Sequence, residues 1–113
     1  MTKIKPLERL FRGEKPFVER VYEDQNARVV RFYLKKGQEI RPHRSPSSVF
    51  VTLLSGQVKM TIGDEELVVE RGATVCLEPQ ELHGFTALED SIIEAVIAPP
   101  PGIQRLHPDP NLM

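Results

Sequence analysis

Apolar and polar side chains alternate with a period of two along much of the chain. Val30, Phe32 and Leu34 alternate with Arg31 and Tyr33, as expected of a strand with one buried face. The same period returns in later segments, which are separated by short stretches rich in turn-forming residues. The pattern predicts about nine strands, of which we place eight at residues 17–22, 28–34, 49–54, 57–62, 66–70, 74–77, 83–87 and 91–98. A further segment that begins at Glu39 leads into His43.

Two of the predicted strands, at 49–54 and 91–98, are apolar on both faces. Such a pattern is typical of a strand that is covered on both sides. Cys76 lies inside the predicted strand at 74–77, and we interpret it as a small buried apolar side chain rather than a nucleophile. It is the only cysteine, so no internal disulfide can form.

The N-terminal segment departs from the strand pattern. Pro6 stands where a helix could begin, and Leu7, Leu10 and Phe11 follow with helical spacing before Gly13. This arrangement predicts a short N-terminal helix or turn, with the glycine as its end.

The length of 113 residues is that of one domain. We divide the chain into an N-terminal arm at 1–16, a β-barrel at 17–98 and a Pro-rich C-terminal tail at 99–113. The tail begins with three consecutive prolines, which cannot continue a sheet because proline has no N–H to donate.

The charges of the chain are nearly balanced. It has 15 basic and 16 acidic residues and a formal net charge of −1, so no overall field attracts nucleic acid or a membrane surface. The sequence shows neither the run of about 20 apolar residues of a membrane helix nor the apolar stretch of a secretory signal. We therefore expect a cytoplasmic protein that binds neither nucleic acid nor membranes.

Glycines and histidines recur with a defined spacing in two blocks. In the first block Gly37 is followed by His43 and Gly56, and in the second Gly72 is followed by His83. This arrangement resembles the two signature motifs of the cupins, which are small jelly-roll barrels. The resemblance implies an all-β fold, the cupin double-stranded β-helix, of the small single-domain conserved-barrel kind (cupin 2 type).

Both motifs are incomplete. Ser45 stands at the position of the second histidine of the first motif, and Val49 stands at the position of its glutamate. In the second motif Glu78, Gln80 and Ala87 replace the usual proline, glycine and asparagine. Two of the four usual metal-ligand positions are therefore changed, and the resemblance says more about the fold than about the activity.

The resemblance places His43 and His83 in one pocket of the barrel. Two imidazoles from separate strands can bind Zn²⁺, Fe²⁺, Mn²⁺ or Ni²⁺, but catalytic sites for such metals usually have a third protein ligand. The candidates are Glu39, Glu78 and Glu81. Glu39 lies four residues before His43 and would face the same side of an extended strand, and the other two precede His83. The alternative is that the two histidines hydrogen-bond a ligand, a water molecule or one another.

Two further side chains are candidates for ligand contacts. Arg41 lies two residues before His43 and would face the same side of an extended strand. Its guanidinium could bind a carboxylate or phosphate through two hydrogen bonds. Together with Arg44 it places fixed positive charge near the histidine, which disfavours a divalent metal and favours an anion. Ser45 adds a hydroxyl. The alternative is that both arginines lie in an exposed loop.

Three functions are compatible with these residues. The first is a small-molecule-binding barrel whose pocket is built around His43 and His83 and takes an anionic ligand. The alternative is a metal-dependent enzyme of the dioxygenase, isomerase or decarboxylase type, with a divalent metal on the two histidines. A dimerising or sensory domain without catalysis is the third, and we prefer the first.

A small barrel of this size leaves strand edges and apolar faces exposed. The predicted strand at 17–22 has the composition to pair with or cover the sheet of a neighbour. We therefore expect a homodimer. The resemblance also implies that Gly56 and Gly72 occupy turns with positive φ, which other residues adopt only with strain.

Overall fold

The structure is a computed structural model, and it describes residues 3–102. These residues form nine strands, and the eight whose ends were predicted differ from the prediction by at most one residue at either end. The strands are β1 Phe17–Glu23, β2 Arg28–Leu34, β3 Glu39–His43, β4 Ser48–Ser55, β5 Gln57–Ile62, β6 Glu65–Glu70, β7 Thr74–Leu77, β8 His83–Ala87 and β9 Ser91–Ala98. The predicted all-β fold is confirmed.

The strands are arranged in two antiparallel sheets. The five-stranded sheet has the order β1-β2-β9-β4-β7, and the four-stranded sheet has the order β3-β8-β5-β6. Chain segments pass from one sheet to the other after β2, β3, β4, β6, β7 and β8, so that neighbours within a sheet are often distant in sequence. This is the jelly-roll arrangement, in which the inner faces of both sheets enclose one core.

The core consists of the inward-facing residues of both sheets. Burying an aliphatic or aromatic side chain of this kind is worth about 1.5–3 kcal/mol, so this layer provides most of the driving force for folding. The buried cluster comprises Val30, Phe32, Leu34, Val49, Val51, Leu53, Val58, Met60, Val69, Leu77, Phe85, Ala87, Ile93, Ala95 and Ile97.

The predicted N-terminal helix is wrong for the residues that the structure describes, since 3–16 contain no helical turn. This arm lies instead across the outer face of the five-stranded sheet. Arg31 donates hydrogen bonds to the backbone carbonyls of Pro6 at 2.9 Å and Lys5 at 3.2 Å. The backbone groups that a helix would pair internally are thus bound by a side chain of β2.

The arm also buries the polar side of β2. The ring of Tyr33 contacts Phe11 and Phe17, with ring centres 6.2 and 5.8 Å apart. Arg31 is only 7% exposed and forms an ion pair with Glu94 at 3.1 Å. Both faces of this strand are therefore buried, although its sequence alternates.

Two expectations about burial are wrong at the other end of the same sheet. Cys76 is exposed, because the alternation of β7 turns Leu77 into the core and the cysteine outward. Phe50 pairs with it in register on β4 and is 41% exposed. The outer face of β4 is therefore only partly covered by the described part of the chain.

Of the tail predicted at 99–113, residues 103–113 lie outside the described part, and the division into arm, barrel and tail remains a prediction. Pro100 and Pro101 are buried. Within residues 3–102 there is no helix long and apolar enough to cross a membrane.

Candidate functional site

An irregularity in β3 determines which of its side chains face the core. Ile40 pairs with Phe85, and His43 pairs with His83, so β3 uses three steps where β8 uses two. This extra residue is a β-bulge, which reverses the alternation of a strand. Because Phe85 belongs to the core, Ile40 and both histidines share the inner face.

Pro42 lies inside this bulge, and Gly84 lies opposite it. A Cβ atom on Gly84 would approach the backbone nitrogen of Pro42 to 2.8 Å and the carbonyl oxygen of Ile40 to 2.9 Å. Only glycine leaves room for such a close approach of two strands. The residue after His83 therefore allows β3 to bring His43 close to it.

The two imidazole rings are neighbours at the end of the barrel. Their centres are 4.5 Å apart, and their planes are inclined by 57°. His83 is 1% exposed and also contacts the edge of Phe85, at 6.2 Å between ring centres. The structure thus brings together two side chains that are forty positions apart in the sequence.

Hydrogen bonds to the backbone fix the tautomer of both rings. Nδ1 of His43 lies 2.9 Å from the carbonyl oxygen of Arg41, and Nδ1 of His83 lies 2.9 Å from that of Glu81. A carbonyl oxygen can only accept, so each Nδ1 carries the hydrogen. Each Nε2 of the neutral ring then presents a lone pair.

These Nε2 atoms are buried and have no hydrogen-bond partner. Buried polar atoms in folded proteins are nearly always paired, so two unpaired acceptors side by side require an explanation. Burial lowers the pKa of His83, and the neighbouring His43 lowers it further, while the bond to the Glu81 carbonyl acts in the opposite direction. His83 is therefore neutral at neutral pH.

The other residues of the first motif do not extend this polar centre. Val49, at the glutamate position, is fully buried in the core. Ser45 is buried as well, but its Oγ accepts a hydrogen bond from the Ser47 amide at 3.2 Å. The hydroxyl predicted to contact a ligand thus already has a partner in its own loop.

Arg41, the predicted anion-binding side chain, is exposed. The bulge places it on the side of β3 opposite to His43. The prediction that Arg41 and His43 face the same side assumed regular alternation, which the bulge interrupts. It borders a different groove, together with Glu14, Lys15, Pro16, Gly37, Gln38 and Glu39.

The three carboxylates considered as a third metal ligand do not join the histidines. Glu39 is exposed and pairs with Thr86 on the outer side of the bulge. Glu81 accepts a hydrogen bond from the Glu78 amide at 2.7 Å through its carboxylate. No group of three or more His, Cys, Asp or Glu side chains within residues 3–102 could hold a metal ion.

The fit of these residues to the metal that the resemblance implies is therefore partial. Two Nε2 lone pairs with Nδ1–H bonded to backbone carbonyls have the orientation of metal-binding histidines. Their ring separation is within reach of two imidazoles that share an ion at about 2.1 Å. A negatively charged ligand from the described part of the chain is missing.

Two loops that carry the histidines are tied to each other. Arg44 donates to the carbonyl of Gln80 at 2.7 Å, and the Gln80 amide donates to the carbonyl of Ser45 at 2.7 Å. Gln80 has a φ of 71°. Its role was not predicted, although Pro79 directly before it is the usual signal of a turn with positive φ at the next residue.

A groove of about 730 Å³ lies beside the histidines. Ile62 belongs to its wall and is also the cross-strand neighbour of His83. This groove was not predicted, since its residues come from three separate segments of the chain. They are Arg44, Ile62, Gly63, Asp64, Glu65, Gln80, Glu81 and Leu82.

Comparison with solved structures shows the same architecture in several bacterial proteins. An RmlC-like cupin protein from Desulfovibrio desulfuricans has a TM-score of 0.80 at 27% identity, over 88% of this chain and 98% of that chain. A conserved protein of unknown function from Streptococcus pyogenes has a TM-score of 0.75 at 28% identity, over 88% and 91%. An uncharacterized conserved protein with a double-stranded β-helix domain from Klebsiella pneumoniae has a TM-score of 0.79 at 25% identity, over 88% and 91%.

Among curated proteins, none matches the chain significantly. The model of the cupin domain family matches residues 30–98. This match runs from β2 to the end of β9 and includes both histidines, so it covers well over half of the chain. The chain belongs to the cupin family.

Proposed function

We propose that this protein binds a small molecule inside the barrel, with His43 and His83 as the polar centre of the site. The observation that carries the proposal is the pair of buried, unpaired Nε2 atoms. Two strands, a bulge and a glycine are needed to bring these atoms together, and no internal hydrogen bond uses them.

A hydrogen-bond partner for these two atoms would be bound favourably. A buried acceptor without a partner costs about 1–3 kcal/mol relative to a paired one. A ligand that satisfies both Nε2 atoms recovers this cost, while its apolar part contacts Ile62 and other side chains at the end of the core. Sites with a few polar groups in an apolar wall are typical of small-molecule pockets.

A ligand screen against matched variants tests this proposal. Neutral, anionic and cationic small molecules would be added to metal-free protein, and binding would be followed by NMR of the histidine rings. Asparagine in place of His43 or His83 retains a donor for the backbone carbonyl but removes the Nε2 edge. We expect binding to be lost in both variants while the melting temperature stays nearly unchanged. Ligands that bind all three proteins equally would refute the proposal.

The second candidate is a metal-dependent cupin enzyme, which the orientation of the two Nε2 lone pairs supports. His43 and His83 would hold Zn²⁺, Fe²⁺, Mn²⁺ or Ni²⁺, and the ion would supply Lewis-acid chemistry at the end of the barrel. Two neutral histidines without a carboxylate leave the charge of a dication uncompensated. Tight binding would therefore depend on an anionic ligand that is not part of residues 3–102.

The metal content of protein purified without a histidine tag separates the two candidates. We expect less than one equivalent of any divalent metal after dialysis, and weak binding on titration with Zn²⁺, Ni²⁺ or Mn²⁺. A full equivalent that survives dialysis and disappears in the His83→Asn variant would favour the enzyme.

A further inference from the structure

The chemistry of the histidine pair restricts the class of ligand. Both Nδ1–H groups are used by the carbonyls of Arg41 and Glu81, so in the neutral rings each Nε2 offers a lone pair and no donor. An ionised carboxylate presents only acceptors, and against a neutral ring it would bring lone pairs against lone pairs. The ligand must therefore donate hydrogen bonds to Nε2.

The charges around the pair also disfavour an anion. Arg41 lies outside the bulge, and Arg44 is bound to the Gln80 carbonyl at the rim of the groove. The remaining charged side chains of the groove are the three carboxylates Asp64, Glu65 and Glu81. One cation against three anions gives this lining a negative charge, which repels an anionic ligand.

A buried cation is disfavoured for a separate reason. Within the described residues no carboxylate joins the two histidines. An ammonium group bonded to two neutral imidazoles would be removed from water without an opposite charge, which is costly. Hydroxyl groups donate hydrogen bonds without either penalty.

The groove provides space for the rest of such a ligand. Ile62 is half-buried and stands between the groove and His83, because it lines the former and is the inner-face neighbour of the latter. It ends β5 and precedes Gly63, which has a φ of 60°. Ile62 thus lies against the groove on one side and beside His83 on the other.

We infer that the site takes a neutral molecule with two adjacent hydroxyl groups, one donating to Nε2 of His43 and the other to Nε2 of His83. The body of the molecule lies in the groove beside Ile62. This inference rests on the proposed function and specifies its ligand class. It replaces the anionic ligand that the position of Arg41 suggested from the sequence.

Three probes with the same ring test the inference. They are cis-cyclohexane-1,2-diol, its dimethyl ether and cis-cyclohexane-1,2-dicarboxylate, added to protein treated with a chelator. Long-range ¹H–¹⁵N NMR reports the tautomer and the hydrogen bonding of each ring nitrogen. We expect the diol to shift the Nε2 signals of both histidines and to bind at least about tenfold more tightly than the ether, which lacks donors. The dicarboxylate should leave both signals unchanged.

Three variants with one control locate the binding. His43→Asn and His83→Asn should each weaken diol binding at least about tenfold. Ile62→Phe fills the path from the groove and should reduce binding while both tautomers stay as in the wild type. Lys59→Gln changes the exposed face of the same strand and should alter the affinity by less than about twofold.

The experiments distinguish a wrong ligand class from a wrong binding site. If the dicarboxylate binds through the histidines as tightly as the diol, the inferred ligand class is wrong and the small-molecule site stands. If the diol shifts neither histidine, or binds the asparagine variants unchanged, the inference is also overturned. The broader ligand screen then decides on the proposed function by itself.

Discussion

At the scale of single residues, Ser45 and Val49 limit what the two histidines can do. In this chain the hydroxyl of Ser45 is paired with the Ser47 amide, and Val49 is a core residue. The polar centre is thereby reduced to the two buried, unpaired Nε2 atoms. Such a centre favours hydrogen-bond donors over the highly coordinated dications that carboxylate-containing sites bind.

The lowered pKa of His83 predicts a dependence of stability on pH. Burial disfavours its charged form in the folded protein, whereas in the unfolded chain the side chain titrates near its ordinary pKa of about 6.5. As the pH falls through this value, the unfolded state takes up a proton that the folded state does not, so stability decreases. Above it, the contribution of this residue is constant.

Urea unfolding between pH 5 and pH 8 measures this effect. We expect the free energy of unfolding of the wild type to fall as the pH is lowered from about 7.5. The His83→Asn variant should show a smaller slope over the same range, because its side chain does not titrate. Equal slopes in both proteins would contradict the assignment of the effect to this residue.

We expect alanine to lower the stability by different amounts at two turn glycines. Gly56 and Gly72 have φ values of 89° and 92°, as expected from the sequence. Alanine at either should cost about 1 kcal/mol or more in free energy of unfolding. At Gly56 a Cβ would also meet Ser91 Oγ at 2.3 Å and the Asp90 carbonyl at 2.4 Å, whereas at Gly72 it meets open space.

We therefore expect Gly56→Ala to destabilise the protein more than Gly72→Ala, since backbone must move in the first case only. Urea denaturation at one pH gives both values. Equal losses would mean that strain in φ dominates, and that the strands near Gly56 adjust easily.

At the scale of elements, alternation predicted the strands because each sheet buries one face and exposes the other. The same rule failed wherever another element changed the environment of a face. The arm buries the outward Arg31 and Tyr33, and Cys76 is exposed although its neighbours are apolar. The residues of one segment do not indicate which other segment packs on its outer face.

The bulge in β3 explains why the site was predicted only in part. Strict alternation predicted that Arg41 and Glu39 share one face of the strand with His43. The extra residue of the bulge places both on the opposite face. Pro42 is the signal that could have revealed it, because proline within a strand is confined to edges and bulges. β3 is at the edge of its sheet, and this proline falls between Ile40 and His43.

Replacing Gly84 with alanine tests how far the histidine pair depends on the close contact between β3 and β8. Alanine at this position would clash with backbone atoms of Ile40 and Pro42 at less than 3 Å. Because backbone cannot rotate away, β3 must move outward. We expect a loss of about 1–3 kcal/mol in stability, as for overpacking elsewhere, and a larger separation of the two rings.

NMR contacts between the His43 and His83 rings measure the second effect, with Gly72→Ala as the control that lacks a clash. If these contacts persist unchanged in Gly84→Ala, the close approach is not what holds the pair together.

At the scale of the whole molecule, the exposed apolar side chains indicate where a second copy could bind. β9 is a central strand with Ile92 and Ile93 buried, so the described part of the chain already covers both of these neighbouring side chains. β1 is an edge strand, and Tyr22 on it is 45% exposed beside the largely exposed Ile4 of the arm. These two residues line one groove of about 590 Å³.

We predict a homodimer that uses this edge of β1, because unpaired strand groups and adjacent apolar side chains favour association. In sedimentation velocity at micromolar concentration, the wild type should have the mass of a dimer. The double variant Ile4→Asp and Tyr22→Asp should shift it to the monomer, because charge in an apolar contact is costly. Phe50→Asp places the same charge on the far side of the sheet and serves as the control. Dissociation by this variant alone would move the interface to the face of Phe50, and a wild-type monomer would refute the dimer itself.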